Sequence, residues 1–272
     1  MEEATGRVVV ITGASSGIGL SAAVALARRG DQVVLVGRDP ARLRAAALEV
    51  RDASGTLPAS FRCDFASLDD VRALGADLRT YYDRIDVLAN NAGAVVVHPV
   101  TTMDGHELTI QANHLAPFLL TSLLHDRVLR MVVTASRAHR YGSLDPRDLD
   151  RHLTGYWPMR AYGSSKQANI LFAGEAARQW PGMFSVSFHP GVVRTRFYSD
   201  NRFMAWGMRH APLMRGPDKG AETLVWLATT DPARLVNGGY YVDKKPRHAA
   251  PKATNPALAA ALWKASEQAV GL

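Results

Sequence analysis

Short, continuous apolar runs alternate with longer amphipathic stretches along most of the chain. The runs fall at 7–12, 32–37, 59–64, 85–90, 131–136 and 184–189. Continuous rather than alternating apolar residues are typical of strands that are buried on both faces of a parallel sheet. The stretches between them have the length of crossover helices, so the pattern predicts repeated β-α units.

Repeated β-α units with right-handed crossovers build a doubly wound sheet. We predict an α/β protein with a single doubly wound Rossmann fold, a mainly parallel sheet of about seven strands, and helices on both faces. No linker, repeat or low-complexity segment divides the chain. We expect one Rossmann domain over 1–243, followed over 244–272 by a C-terminal extension with a terminal helix.

The composition of the 272 residues, 47% hydrophobic and 21% charged, is that of an ordinary globular protein. The net charge of +7 could indicate nucleic-acid binding, but the arginines are dispersed among acidic residues, so we expect no nucleic-acid partner. A single cysteine, Cys63, excludes an intrachain disulfide. With no targeting or transmembrane segment in the sequence, these features predict a cytoplasmic protein.

A glycine-rich loop follows the first predicted strand. In "TGASSGIG" the glycines are Gly13, Gly17 and Gly19. Glycine lets the backbone turn sharply and approach a phosphate, and the free amides of a helix N-terminus favour negative charge. Because the loop stands between a strand and an amphipathic helix, it predicts a dinucleotide site rather than a purely structural turn.

The end of the second predicted strand distinguishes the two nicotinamide dinucleotides. An acidic side chain at this point would accept from the ribose 2′-hydroxyl of NAD(H). The sequence instead has Gly37 followed by Arg38, and a guanidinium can bind a 2′-phosphate. The alternative is a surface arginine that only pairs with Asp39. The sequence favours NADP(H), with NAD(H) as the second choice.

The stretch "AYGSSKQANILF" (161–172) places Tyr162 four residues before Lys166, the first lysine of the chain. At this spacing both side chains lie on one face of a helix, about one turn apart. A nearby ammonium favours the phenolate form of a tyrosine, so Tyr162 is a candidate general acid/base. Ser136 ends a predicted buried strand and is a candidate hydrogen-bond donor to a substrate oxygen.

Seven motifs in order resemble those of the classical short-chain dehydrogenase/reductase family. They are "TGASSGIG" (12–19), "CDF" (63–65), "NNAG" (90–93), Asn113 in "QANHLAPFLLT", Ser136 in "VVTASRAH", "YGSSK" (162–166) and "HPGVVRT" (189–195). The resemblance covers nearly the whole chain and is greatest to the retinol-dehydrogenase-like branch. It implies an NAD(P)-dependent oxidoreductase that interconverts a carbonyl and an alcohol by hydride transfer.

The resemblance also implies roles for individual residues. Lys166 would hold the nicotinamide ribose, Asn113 would support a proton-relay water, and Asp64 would meet the adenine. The implied catalytic residues are Asn113, Ser136, Tyr162 and Lys166. The implied cofactor-binding residues are Gly13, Ser15, Ser16, Gly17, Ile18, Gly19, Arg38, Asp64, Phe65, Asn91, Ala92, Gly93, Tyr162, Lys166, Pro190, Gly191, Val193 and Thr195.

Two stretches bear on partners and substrate. Only 23 positions separate Asn113 from Ser136, so the helix between them must end early or turn abruptly into its strand. The family commonly dimerises through that helix, which puts the usual homodimer in doubt.

Residues 196–215 lie where the family places a substrate lid. Their apolar side chains favour a bulky hydrophobic carbonyl or alcohol, although they could equally cover the core, a membrane or another subunit. The candidate substrate contacts are Phe197, Phe203, Met204 and Trp206.

Other functions stay open at this point. No histidine pair has the spacing of a helical zinc site, so we expect no metal. The same fold and cofactor site could serve C=C reduction, epimerisation or cyclisation. A nucleotide-binding regulatory protein without turnover is the remaining alternative, but a pure sensor has no need of an acid/base pair.

Overall fold

The computed structural model describes residues 6–193 and 215–272, and their strands form one eight-stranded sheet in the order β3-β2-β1-β4-β5-β6-β7-β8. The strands are β1 Val8–Thr12, β2 Gln32–Gly37, β3 Ala59–Arg62, β4 Val87–Asn90, β5 Arg130–Thr134, β6 Phe184–His189, β7 Tyr240–Val242 and β8 Lys245–Pro246. The first seven are parallel, and β8 pairs antiparallel with β7. The predicted doubly wound, mainly parallel sheet is confirmed, with the two-residue edge strand β8 as an addition.

Helices connect the strands and cover both faces of the sheet. They are α1 Gly17–Ala27, α2 Pro40–Ser54, α3 Leu68–Tyr81, α4 Leu108–Ile110, α5 Ala116–Leu124, α6 Pro158–Gln179, α7 Pro217–Thr229 and α8 Pro256–Val270. A π-helical turn, Gln111–Leu115, joins α4 to α5. The Ser67 side chain accepts from the Asp70 amide and so caps the N-terminus of α3.

Two apolar layers explain why the strand sequences are continuously apolar. In β1, Val10 packs into the layer formed with α3, α5, α6 and α8. Its neighbours Val9 and Ile11 point the other way, into the layer formed with α1, α2 and α7. Alternate residues of a strand face opposite sides of the sheet, so a strand covered on both sides must be apolar throughout.

The connection from α5 to β5 is as short as the sequence predicts. Helix α5 ends at Leu124 and β5 already begins at Arg130. The Arg127 and Val128 amides donate to the Leu124 carbonyl, at 2.8 and 3.1 Å, which closes the turn. The turn leads directly into β5, the strand that Ser136 follows.

The terminal helix α8 packs on the same core as the sheet. The Trp263 ring lies 5.1 Å from that of Phe118 and 4.6 Å from that of Trp180, between centroids. Nearby, the Nε2 atom of His114, in the π-helical turn, is 2.9 Å from the Ser266 hydroxyl. Through these contacts the last helix supports the segment that carries Asn113.

Candidate active site

An open cleft of about 1360 Å³ lies at the carboxyl ends of the parallel strands. The order in which strands are added to the sheet reverses between β1 and β4, and doubly wound sheets bind their ligands at such a point. The cleft brings together residues from across the sheet, from Arg38 after β2 to Tyr240 in β7. The described helices include none with the length and apolar character needed to cross a bilayer.

The glycine loop is held open toward this cleft. Gly13 has a φ of +66°, and a Cβ on it would lie 2.9 Å from the Ala92 Cα. Thr12, at the end of β1, receives hydrogen bonds at its hydroxyl from the amides of Asn91 and Ala92, both at 3.0 Å. The Asn91 side chain donates to the Thr12 carbonyl at 3.0 Å. These bonds join the loop to the turn after β4.

The role of Thr12 was missed in the sequence. The only signal for it was a hydroxyl residue at the last position of an apolar strand, directly before a glycine turn. Thr12 is fully buried, and nothing in its neighbours along the chain indicates the two amides from beyond β4 that it receives.

Arg38 lies exposed at the β2 end of the cleft. The alternative hypothesis was that Arg38 only pairs with Asp39. The structure shows no ion pair between the two described side chains. The Asp39 carboxylate caps α2 by accepting from the amides of Ala41 and Arg42, at 2.9 and 3.1 Å. It also lies 3.6 Å from the Arg42 guanidinium. Arg42, which the sequence analysis did not single out, lines the cleft beside Arg38.

Lys166 is buried at the opposite end of the cleft. Its side chain is 1% exposed, and Nζ donates to the Thr134 carbonyl at 3.0 Å. Nζ lies 5.5 Å from the centroid of the Tyr162 ring, so the predicted pairing of these two side chains along α6 is present. Burial lowers the pKa of the Lys166 ammonium to about 7.

Asn113 is positioned by the π-helical turn. Its Oδ1 accepts from the Ala94 amide at 2.7 Å, and Nδ2 donates to the Ala94 carbonyl at 2.9 Å and to the Ser165 hydroxyl at 3.0 Å. A Cβ on Gly93 would lie 3.1 Å from Asn113 Oδ1 and 3.2 Å from Lys166 Nζ. Gly93 therefore lets the chain after β4 pass directly over both side chains.

Ser136 follows β5 and caps a 3₁₀ helix, Arg137–Tyr141. Its Oγ accepts from the Ala138 amide at 3.2 Å, which leaves the hydroxyl proton available to a substrate. The Ser136 backbone carbonyl accepts from Nδ1 of His139 at 2.7 Å. The other ring nitrogen of His139 accepts from the Ala250 amide at 3.0 Å, which identifies the neutral tautomer.

Most of the predicted site residues line this cleft. They are Gly13, Ser15, Ser16, Gly17, Ile18, Arg38, Asp64, Phe65, Asn91, Ala92, Gly93, Ser136, Tyr162, Pro190, Gly191 and Val193. Three others lie behind the lining: Gly19, Asn113 and Lys166. The predicted contacts at Thr195, Phe197, Phe203, Met204 and Trp206, and the predicted lid up to residue 214, lie outside the described residues.

The wall opposite the glycine loop was not predicted. It is apolar on one side, formed by Val95, Val96, Val97, Val100, Leu108 and Met159. It is polar on the other, formed by Arg137, His139, Arg140, His189, Tyr240, Arg247 and His248. The apolar run 94–97 could have been noticed in the sequence, whereas the polar side is assembled from distant segments.

Comparison with known proteins places this geometry in a family. The family model described as short chain dehydrogenase matches residues 7–144. The chain belongs to the short-chain dehydrogenase family. The predicted membership is confirmed, and with it an NAD(P)-dependent oxidoreductase of the type that acts on CH–OH and C=O groups.

Curated relatives of this short-chain dehydrogenase cover it almost completely. A protein of Streptomyces sp. (strain C5) that carries the name daunorubicin C-13 ketoreductase is 50% identical over 98% of this chain and 93% of its own length. Human retinol dehydrogenase 13 is 34% identical over 98% of this chain and 85% of its own length. Relatives of the predicted retinol-dehydrogenase-like branch are thus found.

A solved structure extends the comparison to a bound cofactor. The short chain dehydrogenase from Escherichia coli CFT073, crystallised in complex with NADPH, is 26% identical. It superposes with a TM-score of 0.68 over 86% of this chain and 95% of its own.

Proposed function

We propose that this short-chain dehydrogenase is an NADP(H)-dependent ketoreductase or alcohol dehydrogenase that acts on a bulky hydrophobic substrate. The observation that carries the proposal is the convergence of Tyr162, Ser136 and the buried Lys166 at one end of the cleft, with the glycine loop at the other. The 50% identity to a protein named as a ketoreductase supports the reaction type.

The glycine-loop end fits a dinucleotide that carries a 2′-phosphate. Gly13 and Ala92 approach so closely that no side chain fits between them, which leaves a bare backbone cradle. Arg38 and Arg42 both line the cleft beside this cradle and can bind a 2′-phosphate. The NADPH complex of the Escherichia coli relative supports the same choice. When bound, the cofactor supplies or accepts the hydride.

Tyr162 would hold the proton that the substrate oxygen gains or loses. The ammonium of Lys166, 5.5 Å from the Tyr162 ring centroid, favours negative charge on the phenol oxygen. The hydrogen bond from Lys166 Nζ to the Thr134 carbonyl holds this ammonium group at the end of β5. The Lys166 side chain would also reach the ribose hydroxyls, with Asn113 maintaining the backbone turn above it.

Ser136 would orient the substrate oxygen. Because its Oγ already accepts from the Ala138 amide, the hydroxyl proton points away from the backbone and is free to donate. A carbonyl oxygen held between Ser136 and Tyr162 would then meet two donors, which stabilise the negative charge that develops on reduction.

The apolar wall supports a hydrophobic substrate. Val95, Val96 and Val97 follow the nucleotide-binding turn, and Leu108 and Met159 face the same space. Binding pockets for small molecules are usually lined in this way, with a few polar groups to fix orientation.

The single cysteine, Cys63, is buried and unpaired, and this supports the cytoplasmic location we propose.

Turnover of NADPH by a panel of apolar ketones and aldehydes tests the proposal. We expect NADPH oxidation, followed by absorbance, that falls about 1000-fold in Tyr162→Phe. Tyr81→Phe is the matched control, since Tyr81 is 68% exposed on α3 and should leave the rate unchanged. A panel without any turnover that depends on Tyr162 would remove the ketoreductase assignment.

A further inference from the structure

Three arginines stand at the edge of the cleft beyond Ser136. Arg137 directly follows the candidate catalytic serine, Arg140 is one turn further along the 3₁₀ helix, and Arg247 follows the edge strand β8. We call these three side chains the arginine rim. All three are exposed and line the cleft.

No arginine of the rim forms an ion pair with an acidic side chain in the described part of the chain. The ion pairs of this region involve other arginines, Arg147 and Arg151 with Asp145, and Arg215 with Asp243. Asp243 is the acidic residue of the cleft lining at this end, and both of its carboxylate oxygens accept from Arg215. The pKa of Asp243 is lowered first by its hydrogen bond to Arg215 and less by the charge of Arg137, so Asp243 offsets the charge of the rim only in part.

A buried hydroxyl faces the same edge. Tyr240 lines the cleft and is 6% exposed, and its hydroxyl oxygen is buried without a hydrogen-bond partner. Burial raises the pKa of Tyr240 to about 12, although Arg137 and Arg140 lie close enough to oppose this, so the hydroxyl keeps its proton. His139, against the Tyr240 ring, has both ring nitrogens engaged elsewhere.

The three guanidinium groups of the rim and the Tyr240 hydroxyl offer hydrogen-bond donors and no acceptor of comparable strength. Guanidinium groups carry only donors, and a protonated tyrosine hydroxyl donates one hydrogen bond. A buried hydroxyl without a partner costs free energy, and a ligand that supplies an acceptor removes that cost. The ligand chemistry that satisfies all of them is a carboxylate, which accepts several charge-assisted hydrogen bonds at once.

The rim is separate from the expected 2′-phosphate site. Arg38 and Arg42 follow β2, whereas Tyr240 and Arg247 belong to β7 and the segment after β8. Between β2 and β7 lie β1, β4, β5 and β6. At about 4.8 Å per strand, Arg38 after β2 is roughly 14 Å from Arg137 after β5 and roughly 24 Å from Tyr240 in β7 across the sheet.

We propose that the arginine rim and Tyr240 form a carboxylate-binding subsite, so that the preferred substrate is an apolar ketone or alcohol bearing a carboxylate. This inference rests on the proposed function for its substrate, because the apolar wall and Ser136 would hold the carbonyl body. It replaces a purely hydrophobic substrate with an amphipathic one.

A matched pair of substrates tests the subsite. The probes are 4-benzoylbenzoate and its methyl ester, which share the ketone and differ in the carboxylate. We expect kcat/KM with NADPH to be at least tenfold higher for the acid, and this preference to shrink as ionic strength rises. Equal or better turnover of the ester would overturn the subsite while leaving the proposed function intact.

Variants assign the preference to the rim. Arg137→Gln combined with Arg140→Gln should raise the KM of the acid at least tenfold, with the KM of the ester and of NADPH within twofold. Arg247→Gln and Tyr240→Phe should each weaken the preference by a smaller factor. Arg147→Gln, which removes the same charge from a side chain paired with Asp145 outside the cleft, is the control. A preference that survives in the double variant would overturn the assignment.

Calorimetry separates the subsite from the proposed reaction. We expect 4-benzoylbenzoate to bind the NADP⁺-saturated protein at least tenfold more tightly than the ester, and the double variant to lose this difference. If neither probe is turned over but this binding pattern holds, the subsite stands and the ketoreductase proposal fails for these probes. If neither turnover nor selective binding of the acid occurs, the subsite is refuted.

Discussion

The Nδ1 atom of His139 donates to the backbone carbonyl of Ser136 at 2.7 Å, while Nε2 of the same ring accepts from the Ala250 amide. A fully buried imidazole thus joins the candidate catalytic serine to the segment before α8. Burial lowers the pKa of His139, which keeps it neutral and able to serve as donor and acceptor together.

Substitution of His139 separates its two hydrogen bonds. In His139→Asn the amide can replace Nδ1 as donor to Ser136, and in His139→Gln the longer side chain can replace Nε2 as acceptor from Ala250. If the serine turn depends on the first bond, kcat should fall about tenfold in His139→Gln and much less in His139→Asn. The KM for NADPH should not change in either. Equal losses in the two variants would argue for a packing role alone.

Gly93 is the second position where a small change should affect the site. A Cβ there would lie 3.1 Å from Asn113 Oδ1 and 3.2 Å from Lys166 Nζ, and both atoms are held by backbone partners. Gly93→Ala should therefore displace them and lower kcat at least tenfold. Gly174→Ala in α6 is the control, because its Cβ meets nothing nearer than 4.0 Å and alanine favours a helix. Full activity in Gly93→Ala would show that the turn after β4 can shift enough to accommodate a Cβ.

The burial of Lys166 predicts how stability depends on pH. Its pKa falls from 10.5 in the unfolded chain to about 7 in the folded protein. Between these values the unfolded chain binds more protons, so the free energy of unfolding should rise with pH, by at most about 1.4 kcal/mol per unit. Below pH 7 both states carry the proton and the dependence disappears.

Urea unfolding of the cofactor-free protein at pH 7.5 and pH 9.5 measures this effect. Lys166→Met removes the titrating group. The free energy of unfolding of this variant should therefore rise less between the two pH values than that of the wild type. The same slope in both proteins would mean that the ammonium is solvated in the folded state.

The cofactor choice depends on Arg38. Arg38→Asp removes a guanidinium at the β2 end of the cleft and supplies a carboxylate that can accept from a ribose 2′-hydroxyl. We expect the Kd for NADPH to rise about 100-fold and the preference to move toward NADH. Arg44→Asp makes the same change in charge on the exposed face of α2 and should leave both constants alone. An unchanged preference in Arg38→Asp would exclude Arg38 from this role.

Local patterns in the sequence were sufficient for the sheet and for the paired side chains of α6. The apolar runs locate β1, β2, β4, β5 and β6 because burial on both faces favours apolar residues along a strand, whereas the predicted run at 59–64 falls on β3, an edge strand that is largely exposed. The distance between Tyr162 and Lys166 follows from helical periodicity alone. The glycine loop was equally visible in the sequence, because a backbone without room for a Cβ requires glycine at position 13.

Other parts of the site depend on contacts between distant segments. Whether Asp39 would pair with Arg38 or cap α2 depended on the backbone after β2, and the cap is what forms. The π-helical turn that aims Asn113 at Ala94 is supported from the last helix, 152 positions away, through His114 and Ser266. Helical periodicity assumes regular turns, so it could not indicate this one.

The sequence by itself thus determined the α/β architecture, the nucleotide loop and the Tyr162–Lys166 pair, since each follows from local spacing. Only the tertiary structure decided that Thr12 joins the loop to the turn after β4, that His139 ties Ser136 to the C-terminal segment, and that Arg137 and Arg247 share one edge of the cleft. The physical reason is that these contacts join segments with no regular separation along the chain. Hydrogen bonding and charge select such partners only after the sheet has brought them together.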